Sequence, residues 1–407
     1  MQSSYKTSSR AVKHHNEYFN LFSAEDDTLE ARDPEGISVV TRLARLLQDT
    51  DLRQVAEDAY KRGIRVLRAR KAGDLPRAQF DKKSGQVVNC GWLESYGQAL
   101  RVAPLKATGR PAYCPLMMFK LILAATASKF SDKRASLELH NNRLWQIFCN
   151  VADGTKIPRA TIHRYREIFT VSGFFEELAW NFIDKLETEG WIKRSNEVAA
   201  DGSYVDCRRQ HVSKAVRKLI DESKGDECWQ DQPAVKRQMD IDARWGAKGT
   251  EKHFGYKMHA LADIVHKFLL HCTTAPANLH DSQAVPALVG ESEEGRRFFA
   301  DSAYVGPVVK KALDLFNITP MICAKAYRNR PLTEEQVLSN REKARRRSRI
   351  EHIFGTVEGT LGGPFCRWIG IERANSYNFA VMFIYNLLRF EQILRLQLDD
   401  KLKESTA

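Results

Sequence analysis

Asp201 and Asp301 occupy the same kind of place in the chain. Each closes a short apolar, β-prone run, Val198-Ala199-Ala200 and Phe298-Phe299-Ala300, and each leads into small residues and a tyrosine, as Asp-Gly-Ser-Tyr and Asp-Ser-Ala-Tyr. Carboxylates at strand ends can project from a rigid sheet toward one point, which holding a metal ion requires. A single aspartate after a strand is ordinarily a turn or cap residue; two with one local pattern bring the metal alternative forward. The third candidate is Glu351, within RRRSRIEHIFGTVEG at 345–359. A helix there sets Arg347, Glu351 and Glu358 on one face, because steps of four and seven return to nearly the same direction. Alone, the Arg347–Glu351 pair reads as a surface salt bridge. Its setting is a basic run, with nine Lys or Arg against three Glu between Lys325 and Arg349, which suits a phosphate-bearing partner.

Phosphodiester chemistry explains why such residues would converge. Two hard cations about 3.5–4 Å apart can flank a scissile phosphate, one activating the attacking oxygen and the other the leaving oxygen. Mg²⁺ takes carboxylate oxygen and water, so two aspartates and a glutamate supply the ligands without cysteine or histidine. Asp240 and Asp242, in DIDARWGAKG, could also bind metal but read more simply as a polar loop. His253, His259, His266, His271 and His280 are dense, yet their spacing follows no zinc pattern, and alternation along strands accounts for several.

The elements that must position these residues change character along the chain. Residues 1–36 are polar, with only a weak helical pattern; 39–70 are helical, and 72–89 read as a linker or hairpin. Residues 114–149 read as two or three packed helices, with Pro115 at a first helical position and Ser131-Asp132 as a cap. In IPRATIHRYREIF, 157–169, Thr161 would cap a short basic helix whose Arg159, His163, Arg164 and Arg166 resemble the second helix of a helix-turn-helix reader; an ordinary exposed helix is the alternative. An amphipathic run at 172–189 closes this half. Strands are then expected at 197–207, 254–263 and 265–274, a helical stretch at 281–290, a strand within 296–304, a helix near 307–316, a strand at 318–324 and helices near 334–360 and 375–402. That order predicts an α/β sheet opening with an antiparallel meander.

The chain has 407 residues, more than one average domain, and 63 basic against 51 acidic residues give +12. The excess favours polyanions, nucleic acid foremost, with an anionic membrane surface as the other attractor. No secretion signal is recognisable at the start, no apolar run reaches about 20 residues, and the eight cysteines are scattered. Reduced thiols in a cytoplasmic protein with no membrane span are expected.

The segments DGSYVD, DIDARWGAKGTEKHFGYKMHALAD, TAPANLHDS, FADSAYVG and RSRIEHIFGTVEG, with GRPAYCPLMMFKLILA before them, resemble, in this order, the DDE transposases of bacterial insertion sequences, in the group that includes the "YREK"-bearing enzymes. The likeness runs from about Gly109 to Leu388. It implies a ribonuclease H-like mixed sheet flanked by helices and preceded by a mostly helical N-terminal region. Its expected divisions are an arm and helical region at 1–108, a helical DNA-binding or dimerisation domain at 109–194, the catalytic domain at 195–396 and a tail at 397–407.

The resemblance implies Asp201, Asp301 and Glu351 as catalytic and metal-binding residues, with Mg²⁺ as cofactor and Mn²⁺ as substitute. Arg347 would contact DNA or orient the glutamate. The implied reaction is hydrolysis of a strand at the element's end, then attack of the freed 3′-hydroxyl on target DNA, by a protein that dimerises on DNA near the bacterial nucleoid. Where the family pattern often has Tyr seven residues before the glutamate and Lys seven after it, this chain has Ala344 and Glu358. DNA contact would then fall to Arg345, Arg346 and Arg349, with Arg164 and Arg166 in the helical half, and Glu358 becomes a rival third acid. The alternatives are a catalytically decayed or repurposed DNA-binding copy, a plain metal-dependent nuclease, and a basic interaction protein whose acids cap turns.

Overall fold

A computed structural model of the chain describes residues 33, 38–47, 49–88, 112–361 and 365–406. The expected arm at 1–36 lies outside the described residues apart from Asp33, as do Gly109 and Arg110 of the GRPAY segment and Cys90. The described residues divide into two compact units, one drawn from Met1–Arg77, Gly91–Phe175 and Phe383–Ala407, the other from Ala78–Cys90 and Glu176–Met382.

The first unit is helical. Its elements are α1 (Val39–Ala44) and α2 (Asp49–Ala72), and, after the hairpin strands β1 (Gln79–Asp81) and β2 (Gln86–Val88) of the second unit, α3 (Pro115–Ala127), α4 (Asp132–Asn141), α5 (Arg143–Cys149) and α6 (Arg159–Val171). Pro115 opens α3 as expected, where a missing N–H costs nothing. Ser131 caps α4 by accepting from the Arg134 N–H, and Asn142 caps α5 by accepting from the Leu144 N–H. Thr161 does not cap α6; the cap position is Pro158, whose extended backbone passes directly into helix at Arg159, leaving Thr161 inside the first turn. α2 crosses α6 at Gly63, where a Cβ would overlap the Ile168 carbonyl oxygen. Tyr60 and Tyr165 stack beside the crossing at 5.2 Å between ring centres.

The second unit carries the sheet. After α7 (Phe174–Thr188) come β3 (Glu197–Cys207), α8 (Lys214–Asp221), α9 (Pro233–Lys236), β4 (Arg244–Lys248), β5 (Glu251–Asp263), β6 (Phe268–Pro276), β7 (Arg297–Ala300), α10 (Pro307–Leu315), β8 (Thr319–Ile322), α11 (Glu334–Leu361), β9 (Phe365–Cys366) and α12 (Ile371–Thr406). The chain passes between units at the start of α7 and again within α12. β8, β7, β3 and β5 lie side by side, β4 and β6 both pair with β5, and β9 pairs with β3. β5 is antiparallel to β3, β4 and β6, while β7 runs parallel to β3 and to β8. An antiparallel meander continued by parallel strands, with helices packed on it, is the ribonuclease H-like mixed sheet that the sequence leads one to expect. Val198, Ala199 and Ala200 are fully buried, so β3 is the sheet's core strand up to the position of Asp201.

Two expected elements take other forms. The stretch at 281–290 is a 3₁₀ turn, Asp281–Ala287, because Pro286 cannot donate the bond an α-helix needs there. RWGAK, read as part of a polar loop, is strand β4, hairpinned onto β5.

α11 begins in a reciprocal cap: Thr333 Oγ1 accepts from the Gln336 N–H, and Gln336 Oε1 accepts from the Thr333 N–H. Ile350, Ile353 and Phe354 are its buried stripe. Polar ties complete the docking: Asn340 bonds both backbone groups of Ala324, and Lys343 donates to the Ile322 carbonyl. No helix among the described residues is long and apolar enough to cross a membrane.

Candidate active site on the central strands

Each candidate acid is delivered by a different element of the second unit. Asp201 sits on β3 where burial gives way to partial exposure; its Oδ1 accepts the Gly202 N–H at 2.9 Å. Asp301 follows β7 directly and caps the 3₁₀ turn Ser302–Tyr304, its Oδ1 accepting the Ala303 N–H at 2.8 Å. Glu351 lies on α11, exposed, one turn past Arg347.

Arg347 joins two of them. It donates to Glu351 Oε1 at 2.6 Å and to Asp201 Oδ2 at 3.5 Å. Burial works against its charge, but Asp201, Glu351 and Asp301 outweigh burial and hold the guanidinium above its ordinary pKa. Burial pushes the Asp201 carboxyl up to about 6; the Gly202 N–H and Arg347 pull it back, while the charges of Asp301 and Asp281 add to the rise. Asp301 thus lies close enough to act electrically on both Asp201 and Arg347.

The donor chemistry fits a hard divalent cation: carboxylate oxygens only, with one acid whose proton is held well above the usual range by burial and neighbouring negative charge. Among the described residues no three His, Cys, Asp or Glu side chains close around one point in this arrangement. The guanidinium of Arg347 lies between Asp201 and Glu351 and donates to both.

The other sequence candidates separate into distinct environments. Glu358 meets Ser203, whose Oγ donates to it at 3.2 Å, two residues along β3 from Asp201. Arg345 is exposed. Arg346 pairs with Glu197 at 3.2 Å, an acid that Arg297 also engages, and Arg349 donates to the Ile264 carbonyl at 2.9 Å. These two cations therefore fasten α11 to the sheet. In the helical unit, Arg164 is exposed on α6, whereas Arg166 is half-buried against Asp132 and also meets His163. Asp240 is a buried anchor: it accepts from Tyr256 Oη at 2.7 Å and from the Asp242, Ala243 and Gly370 N–H groups, and Asp242 accepts from the Ile371 N–H. The histidines sit apart, His253 near Asp206, His266 near Asp263 and His271 near Glu293.

Sequence reading did not single out Asp281, which faces Gly202 from the turn after β6 and is held by Lys257 at 2.9 Å. The available signal was alternation: Lys257 and His259 fall on one face of β5, opposite Tyr204 and Gly202.

The three candidate acids thus come from two neighbouring strands and a late helix of an α/β unit. Residues 197–387 match the family described as a transposase DDE domain, and residues 73–167 match one described as a transposase domain, DUF772. The chain is similar to the transposase for insertion sequence element IS1106 of Neisseria meningitidis serogroup B, with 28% identity over 229 residues, covering 56% of this chain and 76% of that protein. No solved structure matches. Along its length the chain is thus similar first to a transposase domain, over 73–167, and then to a transposase DDE domain, over 197–387.

Proposed function

We propose that the chain is a DDE transposase that hydrolyses DNA at the ends of its insertion sequence and transfers the resulting 3′-hydroxyl into target DNA, with Asp201, Asp301 and Glu351 as cation-holding catalytic acids. The observation that carries the reading is the chain of contacts Asp201–Arg347–Glu351, with Asp301 in electrical contact with Asp201 and Arg347. A bound pair of Mg²⁺ ions, or Mn²⁺ in their place, would activate the attacking oxygen and stabilise charge on the leaving oxygen. Asp201 and Asp301 supply ligands from the rigid sheet. Glu351 is the adjustable member, exposed on a helix and held by Arg347. Releasing Glu351 toward the aspartates frees a guanidinium beside the acids, where a phosphate oxygen can accept from it. Arg345 and Arg164 are exposed cations for the DNA backbone; Arg346 and Arg349 serve DNA by positioning α11.

On this reading, residues 195–396 form the catalytic domain and 109–194 a helical region for DNA binding or dimerisation. Two element ends must meet, so the working species is a homodimer on DNA, in the bacterial cytoplasm at the nucleoid. The test is a strand-transfer assay: full-length protein, a duplex bearing the element's terminal inverted repeat, and a supercoiled target plasmid, with Mg²⁺ or EDTA. Joined product in Mg²⁺ alone supports the reading. Nicking without joining makes the protein a nuclease, and DNA binding with neither leaves a non-catalytic copy.

A further inference from the structure

Beneath Asp201, on the opposite face of β3, lies a polar cluster that the proposed mechanism does not use. Gly202 is paired in register with His259 of β5. A Cβ at 202 would stand 3.1 Å from His259 Nδ1 and 3.2 Å from Asp281 Oδ1, so glycine at this position lets both side chains close against the strand next to the acid. His259 is fully buried, and neither ring nitrogen has a hydrogen-bond partner among the described residues; Nδ1 stands 3.7 Å from Asp281. Burial, opposed by Asp281 and aided by Lys257, lowers its pKa to about 4, so the ring is neutral near pH 7. The Tyr304 hydroxyl is likewise buried without a partner and feels Asp201, Asp281 and Asp301. Lys257 is the ammonium on this cluster, donating to Asp281 at 2.9 Å and to the Leu279 carbonyl at 3.2 Å.

We propose that Asp281 is a positioning residue of the active site, a fourth carboxylate whose charge strengthens cation binding by Asp201 and Asp301 and whose effect Lys257 restrains. The inference rests on the reading of those two aspartates as cation ligands. Asp281 is not itself assigned as a ligand, because its Oδ1 is engaged by Lys257. Its negative charge favours any positive species beside Asp201, and His259, neutral and 3.7 Å from Asp281, cannot cancel it. Lys257 can, being a fixed positive charge against the same oxygen. The two residues therefore act on a bound cation with opposite signs, which separates a field effect from simple structural damage.

The experiment is Mn²⁺ binding to the full-length protein, followed by electron paramagnetic resonance, for wild type, Asp301→Asn, Asp281→Asn, Asp281→Glu and Lys257→Met, with thermal melts of each. Asp281→Asn should weaken Mn²⁺ binding about tenfold, and Lys257→Met should tighten it several-fold, the effects expected of removing a nearby negative and a nearby positive charge. Asp281→Glu should recover most of the affinity. In DNA nicking, Asp281→Asn should raise the Mn²⁺ concentration for half-maximal rate more than it lowers the rate at saturation. If Asp301→Asn loses Mn²⁺ binding while Asp281→Asn matches wild type, or shifts in the same direction as Lys257→Met, the role assigned to Asp281 is wrong. If wild type binds no Mn²⁺, or Asp301→Asn binds like wild type, the cation site itself is wrong.

Discussion

Asp201 and Asp301 stand at equal steps of neighbouring parallel strands: the last paired residues of β3 and β7 are Ala199 and Phe299, and each aspartate lies two positions further on. Residues a hundred positions apart in the chain are brought level by strand pairing, without any contact between their own side chains being needed.

The first prediction concerns pH. The Asp201 carboxyl is raised to about 6 from an ordinary 3.8, burial being the main cause. A raised acid stabilises the fold fully below about pH 3.8, and that contribution is lost as pH rises through about 6, because the folded state then gives up a proton it had held more tightly than the unfolded chain. Asp201→Asn should therefore stabilise the cation-free protein at pH 7.5 by about 1–2 kcal/mol, less than the whole shift because water still reaches part of the side chain. Melts at pH 4 and pH 7.5 check it: the gain should vanish at the lower pH. Mg²⁺ should stabilise wild type more than the variant.

Arg347 is asked to do two things, to hold Glu351 and to meet phosphate. Arg347→Ala should weaken binding to the terminal repeat about tenfold and flatten its salt dependence. Arg347→Lys should fall between, since a lysine keeps the charge but cannot fork between two acids. Fluorescence anisotropy across a salt series measures both.

Glu351 and Glu358 compete for the third acid. Glu351→Gln should lower nicking roughly a thousandfold, as removal of a group serving only the transition state does. Glu358→Gln removes a charge but keeps an oxygen to accept the exposed Ser203 hydroxyl, and should stay within about fivefold of wild type. The reverse ranking would reassign the third acid.

The helical unit offers a test independent of catalysis. Gly63→Ala places a methyl against the Ile168 carbonyl and 2.7 Å from Ile168 Cγ2, where backbone cannot yield cheaply. It should cost about 2–4 kcal/mol, read as a lower urea midpoint. Gly355→Ala, with open space around its Cβ position, is the control and should be neutral or slightly stabilising.

Much of this architecture was legible because local chemistry and tertiary structure agree. Pro115 and Ser131 mark helix starts by their own backbone and side-chain properties, and the β3 and β7 runs are apolar enough to be core strands wherever they pair. Asp201 and Asp301 stood out as residues closing apolar runs of one pattern, yet Asp201 lies within β3 rather than at its end, because pairing with β5 carries the strand on to Cys207. What was illegible depends on partners remote in sequence. The contact of Arg347 with Asp201 spans 146 positions; within its own helix Arg347 sees only Glu351. Nothing within the basic run of α11 announces that Arg346 pairs with Glu197 or that Arg349 donates to the Ile264 carbonyl. Asp281 was hidden because its significance comes from Gly202, a residue with no side chain to announce the contact. The hairpin β1–β2 was read as a linker or hairpin, and nothing local told that the Gly85 carbonyl would accept from Thr273 on β6 at 3.0 Å.

The most direct test of the central claim uses Asp301→Asn. It keeps the turn cap's shape and an oxygen for the Ala303 N–H, and removes only the charge. Nicking of a terminal-repeat substrate in Mg²⁺ should fall roughly a thousandfold, while gel-shift affinity for the same DNA without divalent ions stays at the wild-type level. A variant that cuts like wild type in Mg²⁺ would contradict the account.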